Sequence, residues 1–169
     1  TAGAPVVTGV TSVEPDGEAE LLALAAAAES DSEHPLAHAI RGEASGRGLD
    51  VPAASGFSAS TAVGVRATVG GREVAVGGPA LLAAAGREAL PQGEEWAGSG
   101  ATVLHVLIDG EVAGALALAD EVRPESRQAV DALHHLGVRV VMITGDAQPV
   151  AQAVAEELGI DQVFAQVRP

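Results

Sequence analysis

Residues 63–76 read Val-Gly-Val-Arg-Ala-Thr-Val-Gly-Gly-Arg-Glu-Val-Ala-Val. Val63, Val65, Ala67 and Val69 recur at the two-residue period of a strand, and Val74 and Val76 resume it. Between them Gly70-Gly71 supplies the positive φ that a two-residue hairpin turn needs. A second hairpin repeats the logic: 102–108 and 111–118 are strand-like runs joined by Asp109-Gly110. Working outward, the strand pattern starts near Phe57, and 6–13 alternates as a further strand through Val6, Thr8 and Val10. Residues 18–28 predict a helix with Asp16 as its N-cap and acidic residues in the first turn. Ser32 to Pro35 interrupts it, and Pro35 opens a second helix that runs to about Ala44 before Gly46 and Gly48. Residues 79–85 form a short helix stopped by Gly86, and a polar stretch containing Trp96 follows. The sum is an antiparallel sheet carrying helices, an α+β domain.

Past residue 118 the rhythm changes. Residues 124–136 predict a helix closed by Gly137, and 138–143 is a continuous apolar run. Residues 148–158 predict another helix, closed by Gly159, and 163–167 a last strand. Strand, helix, strand at this spacing is a parallel βαβ unit, with the apolar run expected to be buried on both faces. The break falls near 118–121, dividing the chain into 1–118 and 119–169. The second part holds two strands and two helices, too little for an α/β domain alone, so missing chain is expected at one or both ends.

Composition narrows the chemistry. The chain has 169 residues, 47% of them hydrophobic and 2% aromatic, so any core rests on Ala, Val and Leu. No apolar run reaches the roughly 18 residues of a membrane span, so a soluble piece is expected. Cysteine is absent, which excludes disulfides, thiolate metal sites and cysteine nucleophiles. A formal net charge of -14 argues against nucleic acid or anionic membrane as partner. All nine basic residues are arginine, so there is no Walker A lysine, Schiff-base lysine or lysine general base.

Three groups of residues carry candidate chemistry. In Glu29-Ser30-Asp31-Ser32-Glu33-His34-Pro35-Leu36-Ala37, a histidine pinned beside a proline between helices has a fixed ring suited to a planar ligand such as adenine. The plainer reading is a capping segment, with Ser32 as N-cap and His34 solvated. His34 and His38 also share a helix face, as metal ligands do, but lack a third ligand nearby. The second group is Ala62-Val63-Gly64-Val65 with Val76-Gly77-Gly78, whose glycines let backbone approach a ligand or merely close a hairpin. The third is Asp120-Glu121-Val122-Arg123-Pro124 with Thr144-Gly145-Asp146. A polar triplet past a parallel strand lies where open α/β sheets bind ligands, and Asp120 and Asp146 there suit a magnesium-phosphate complex. Helix capping is the alternative.

In order and spacing these groups resemble the heavy-metal-transporting branch of the P-type ATPases. Ser32-Glu33-His34-Pro35-Leu36 matches that branch's signature in full, Glu29 falls on the upstream glutamate, and the Gly-x-Gly-Val and Val-Gly-Asn elements align with 62–65 and 76–78. The resemblance covers essentially the whole chain. It implies a nucleotide-binding domain at 1–118 joined to an incomplete haloacid-dehalogenase-like, Rossmann-like phosphorylation domain at 119–169. Glu29, Ser32, Glu33, His34, Gly64, Gly77 and Gly78 would then bind ATP. Asp120, Thr144, Gly145 and Asp146 would stand on the catalytic side with Mg2+. The family's phosphorylated aspartate would lie just upstream of Thr1, and its later lysine and Gly-Asp-Gly-x-Asn-Asp motif after Pro169. This piece is therefore expected to bind ATP without completing the cycle. Its implied partners are ATP and the rest of a transporter, on the cytoplasmic side of a membrane, bacterial by expectation, with copper as cargo held elsewhere. Two departures stand out: Ala62 replaces a glycine, removing access to positive φ, and Gly78 replaces asparagine. The competing readings are a soluble haloacid-dehalogenase-like phosphatase with a cap domain and a non-catalytic nucleotide-binding module.

Overall fold

The computed structural model describes residues 4–120 and 122–167. Glu121 lies outside them. The chain forms two compact units, one of Ala4–Ala97 with Ala101–Ala119, the other built on residues from Asp120 onward with Gly98–Gly100.

The larger unit holds β1 (Pro5–Ser12), α1 (Glu18–Ala28), α2 (Pro35–Gly46), β2 (Ala54–Ser60), β3 (Gly64–Val69), β4 (Arg72–Gly77), α3 (Pro79–Ala85), α4 (Pro91–Gly98), β5 (Thr102–Ile108) and β6 (Glu111–Asp120). The six strands form one sheet in the order β1-β6-β5-β4-β3-β2. Each neighbouring pair from β2 to β6 is antiparallel. Both hairpin turns sit in the left-handed region at both central positions, Gly70 and Gly71 at φ 57 and 78, Asp109 and Gly110 at φ 51 and 80. That handedness matches the twist of the flanking strands.

Alternation along the strands builds two apolar layers. Val74 and Val76 join Leu22, Ile40, Val106 and Leu116 in the main core beneath α1 and α2. Ala75 and Leu107 turn the other way, under Leu81 and Leu82 of α3. All eight residues from Leu21 to Ala28 are buried, because α1 packs on the sheet and on α2 at once. Small alanines let those surfaces close on it. The polar stretch around Trp96 proves to be a helix, α4, opened by Pro91 at a position where a missing N–H is harmless. It had no strong apolar period because only Gly93 of its eight residues is fully buried.

Asp16 does not cap α1. It adopts φ 58 in the preceding turn, and Gly17 occupies the cap position with no side-chain hydrogen bond. The strand expected from Phe57 begins earlier, at Ala54.

The smaller unit holds α5 (Pro124–His135), β7 (Val141–Ile143), α6 (Gln148–Leu158) and β8 (Gln162–Phe164), with β7 and β8 parallel and in register from Val141 opposite Gln162. The last strand is thus shorter than 163–167 and begins one residue earlier. The expectation that 138–143 is buried on both faces fails. Val141 and Ile143 are 46% and 67% exposed, and Phe164, level with Ile143, is exposed too. A two-stranded ladder has one paired edge, and among the described residues no layer covers the face these three share.

Candidate functional site

The turn between α1 and α2 is assembled from its own short-range bonds. Glu29 is the C-cap of α1 and only 6% exposed. The Ser32 backbone N–H donates to the Glu29 carbonyl at 3.1 Å. The Ser32 hydroxyl then accepts from the His34 N–H at 3.3 Å. Ser32 is therefore not the N-cap of α2: His34 is, its Nδ1 accepting from the Leu36 N–H at 3.2 Å. A ring nitrogen that accepts carries no proton, so the neutral ring holds its proton on Nε2 and offers a donor from an exposed side chain. Burial pushes the Glu29 carboxyl above the usual range, opposed by the Ser32 hydroxyl, His34 and Arg41. A carboxyl poised this way at a turn, rather than on a solvated face, is a functional-site signal.

His34 and His38 form no metal pair. His38 Nδ1 meets Arg41 Nη2 at 2.9 Å and its Nε2 meets exposed Glu33 at 3.4 Å. Among the described residues, no three His, Asp or Glu side chains gather as a metal site.

Gly64 and Gly77 face each other where β3 begins and β4 ends. A Cβ on Gly64 would stand 2.2 Å from the Val76 carbonyl oxygen, and one on Gly77 2.1 Å from that of Val63. No side chain fits there, so two bare stretches of backbone meet. Glu29 lies at this same end of the sheet. The first turns of α1, at Ala19, Glu20 and Ala23, share a cavity with Val69, Gly70 and Arg72 at the opposite end, and Arg72 Nη2 donates to Glu20 at 3.1 Å. A helix of 11 residues spans about 16 Å, close to the length of the strands beneath it, and so carries Glu29 across to the glycines. β1 starts and β6 finishes at this end as well, since the Val13 N–H bonds the Ala113 carbonyl at the other.

Ala62 corrects the expectation that a methyl there excludes positive φ, for it adopts φ 66. Gly78 is the N-cap of α3 at φ -76, with open space where a Cβ would stand. Asparagine would fit, and nothing in the backbone requires glycine.

In the smaller unit Thr144, Gly145 and Asp146 follow the carboxyl end of β7. The Thr144 hydroxyl donates to Asp146 Oδ2 at 2.6 Å and accepts from the Asp146 N–H at 3.2 Å. The Thr144 N–H and carbonyl pair with Phe164 and Val167. Asp146 does not cap α6, whose cap position is Ala147. Asp120 is exposed at the end of β6, and no hydrogen bond among the described residues joins it to Thr144 or Asp146.

Two residues escaped the sequence reading. Arg41 bonds the carbonyls of Glu29 and Ser32, the latter at 2.7 Å. Its spacing was the available signal, as His34, His38 and Arg41 lie at i, i+4 and i+7 on one face of α2. His105 of β5, the register partner of Gly77, is 3% exposed, with Nδ1 buried and without a hydrogen-bond partner among the described residues. Nothing in the run Thr102–Ile108 marks it as other than a strand residue.

The chain matches the family model described as haloacid dehalogenase-like hydrolase over residues 3–168. It is 42% identical over its whole length to a copper-transporting P-type ATPase of Rhizobium leguminosarum bv. viciae, of which it spans 20%. It thus covers about a fifth of the length of that relative. The crystal structure of a zinc-transporting PIB-type ATPase in the E2.Pi state matches 99% of the chain at TM-score 0.82 and 35% identity, over 27% of that protein. The N-domain of a copper-transporting P-type ATPase matches 68% of the chain at TM-score 0.59 and 32% identity, and 99% of that domain is covered. The fold is accordingly an α+β nucleotide-binding-type unit joined to a haloacid-dehalogenase-like segment. Among the described residues no helix is long and apolar enough to cross a membrane.

Proposed function

The chain belongs to the haloacid dehalogenase-like hydrolase family, and from that premise we propose that it is the cytoplasmic ATP-binding part of a P-type ATPase that transports a heavy-metal cation across a membrane, copper in the first instance. In this reading 1–118 is the nucleotide-binding domain and 119–169 part of the phosphorylation domain. The observation that carries it is the buried carboxyl of Glu29, gathered with Ser32 and His34 at the sheet end where Gly64 and Gly77 present bare backbone.

The chemistry follows from those groups. His34, tied down through Nδ1, offers a fixed ring and an Nε2–H donor to a purine. Ionised Glu29 is an acceptor only, which suits the exocyclic amine of adenine and opposes the carbonyl of guanine at that position. Ser32 orders the loop and Glu33 braces it through His38. Gly64 and Gly77 let β3 and β4 close on each other and bring bare backbone to this end of the sheet, and Gly78 has open space where a side chain would stand, so these three would line the nucleotide. Asp120, Thr144, Gly145 and Asp146 serve the phosphoryl end. Mg2+ is commonly held by one or two carboxylates together with substrate phosphates. Asp146, with Oδ2 on Thr144 and its side chain exposed, suits that role, and Asp120 is the second carboxylate assigned to it. The ion, when bound, neutralises phosphate charge. Binding energy from the adenine end positions the nucleotide for chemistry at the other.

The test is an amide NMR titration of the chain with ATP, against GTP and His34→Gln. Shifts centred on Glu29, His34 and Gly64, favouring ATP and lost in the variant, are expected. Silence at millimolar ATP would overturn the reading.

A further inference from the structure

α1 ends in a buried turn with no basic residue of its own in its last turn. The carbonyls at a helix C-terminus carry partial negative charge and need donors. Here the donor comes from the next helix. Arg41, half-buried on α2, directs Nη1 to the carbonyls of both Glu29 and Ser32. Its Nη2 bonds His38 Nδ1, and His38 Nε2 reaches Glu33. The neutral tautomer with the proton on Nε2 satisfies both contacts, accepting from arginine and donating to the carboxylate. One guanidinium therefore closes the segment from Glu29 to Ser32 against the helix that His34 caps.

We propose that Arg41 is a positioning residue for the nucleotide end, fixing through the Glu29 and Ser32 carbonyls the turn that sets Glu29 against His34. The role rests on the reading of Glu29 and His34 as nucleotide contacts. It also accounts for what holds the segment, since Ser30, Asp31, Glu33 and His34 are all exposed. No apolar packing holds those residues, so the turn depends on hydrogen bonds, and the two to Arg41 are charge-assisted. Lysine would keep the charge but lacks the planar fork that reaches two carbonyls and an imidazole together.

The experiment has two readouts on the same chain: ATP affinity by calorimetry, and amide exchange of Ser32 and His34. Arg41→Met should weaken ATP binding about tenfold, the loss expected for charged hydrogen bonds. Exchange at those two amides should quicken while the sheet amides keep their protection. Arg41→Lys should fall between, and it carries the test should the methionine variant fail to fold. In a double-mutant cycle with His34→Gln, the losses should be strongly non-additive, since Arg41 acts through that turn. Additive losses, or unchanged affinity in both Arg41 variants, would overturn the positioning role. A wild-type chain that binds no ATP would instead overturn the nucleotide reading and this role with it, with the exchange data still showing whether the clamp exists.

Discussion

The two units treat polar chemistry in opposite ways. The larger encloses Leu22, Ile40, Val106 and Leu116 between its sheet and helices, and among the described residues the buried charged or polar side chains, Glu29 and His105, both belong to it. Their acid–base character is set first by lost solvation, which raises Glu29 and lowers His105. In the smaller unit Val141, Ile143 and Phe164 stand exposed, and the polar groups satisfy one another in water. Asp161 accepts from the Val140 N–H at 2.7 Å and contacts His134 at 2.9 Å, and Asp146 takes the Thr144 hydroxyl. Burial tunes one unit and hydrogen bonds tune the other, so perturbations should separate them.

The largest separation should come from truncating apolar side chains. Leu116→Ala removes a fully buried side chain and should destabilise the larger unit by about 3 kcal/mol. Ile143→Ala trims a side chain that is 67% exposed and should stay within about 0.5 kcal/mol. Urea unfolding followed through amide signals of each unit measures both. A loss at Ile143 rivalling that at Leu116 would break the contrast.

Acid should sharpen it on a smaller scale. His105 is held below the ordinary histidine value of 6.5, so its contribution is present above 6.5 and is lost as pH falls through the lower folded value. Asp161 is held below 3.8, chiefly by the Val140 N–H and then by His134, so its contribution survives to 3.8 and is lost only beneath it. Glu29, raised above 4.5, works the other way, stabilising below 4.5 and losing that share as pH rises through its folded value. In a pH series of amide exchange the larger unit should begin to loosen first. His105→Gln should remove the part of that loss that begins near 6.5, and Asp161→Asn should leave it intact. Simultaneous loosening of both units near 6.5 would contradict the assignment.

The fold was legible wherever a local rule acted alone. The positive-φ turns at Gly70-Gly71 and Asp109-Gly110 fix their hairpins, and Gly86, Gly137 and Gly159 stop helices by the same conformational freedom. Gln148–Leu158 emerged with the bounds that its period and terminal glycine dictated. What stayed hidden depends on the environment. The short apolar run at 138–143 reads as doubly buried, but burial is decided by what covers a strand, which its own residues do not encode. Helix α4 buries too little to show a period. At the candidate site, His34 could be singled out from its residue type and its place beside Pro35, whereas Glu29 entered only through the resemblance. The Arg41 clasp showed in the sequence only as a helix face shared with His34 and His38, because an arginine in a helix is ordinarily a solvated residue and its partners here are backbone carbonyls.

Ala62 offers the finest comparison, within the larger unit itself, between backbone that glycine occupies and backbone that it does not. The Val63 N–H bonds the Ser60 carbonyl at 3.1 Å, making residues 60–63 a β-turn whose third position is Ala62 at φ 66. A turn with positive φ at that position favours glycine, since the left-handed region brings Cβ against the following carbonyl at a penalty of about 1–2 kcal/mol. The Ala62 methyl is exposed and gives no packing in return. Ala62→Gly relieves the strain but enlarges the entropy of the unfolded chain, which offsets about 0.4–1 kcal/mol. A net stabilisation of about 0.5–1 kcal/mol is expected, read as a shift in the denaturation midpoint at unchanged slope. ATP affinity should barely move, because alanine already holds the conformation that glycine would adopt beside Gly64. Destabilisation on making this glycine would mean that residue 62 is not strained at all, and that the turn leading into the Gly64–Gly77 contact has a different backbone.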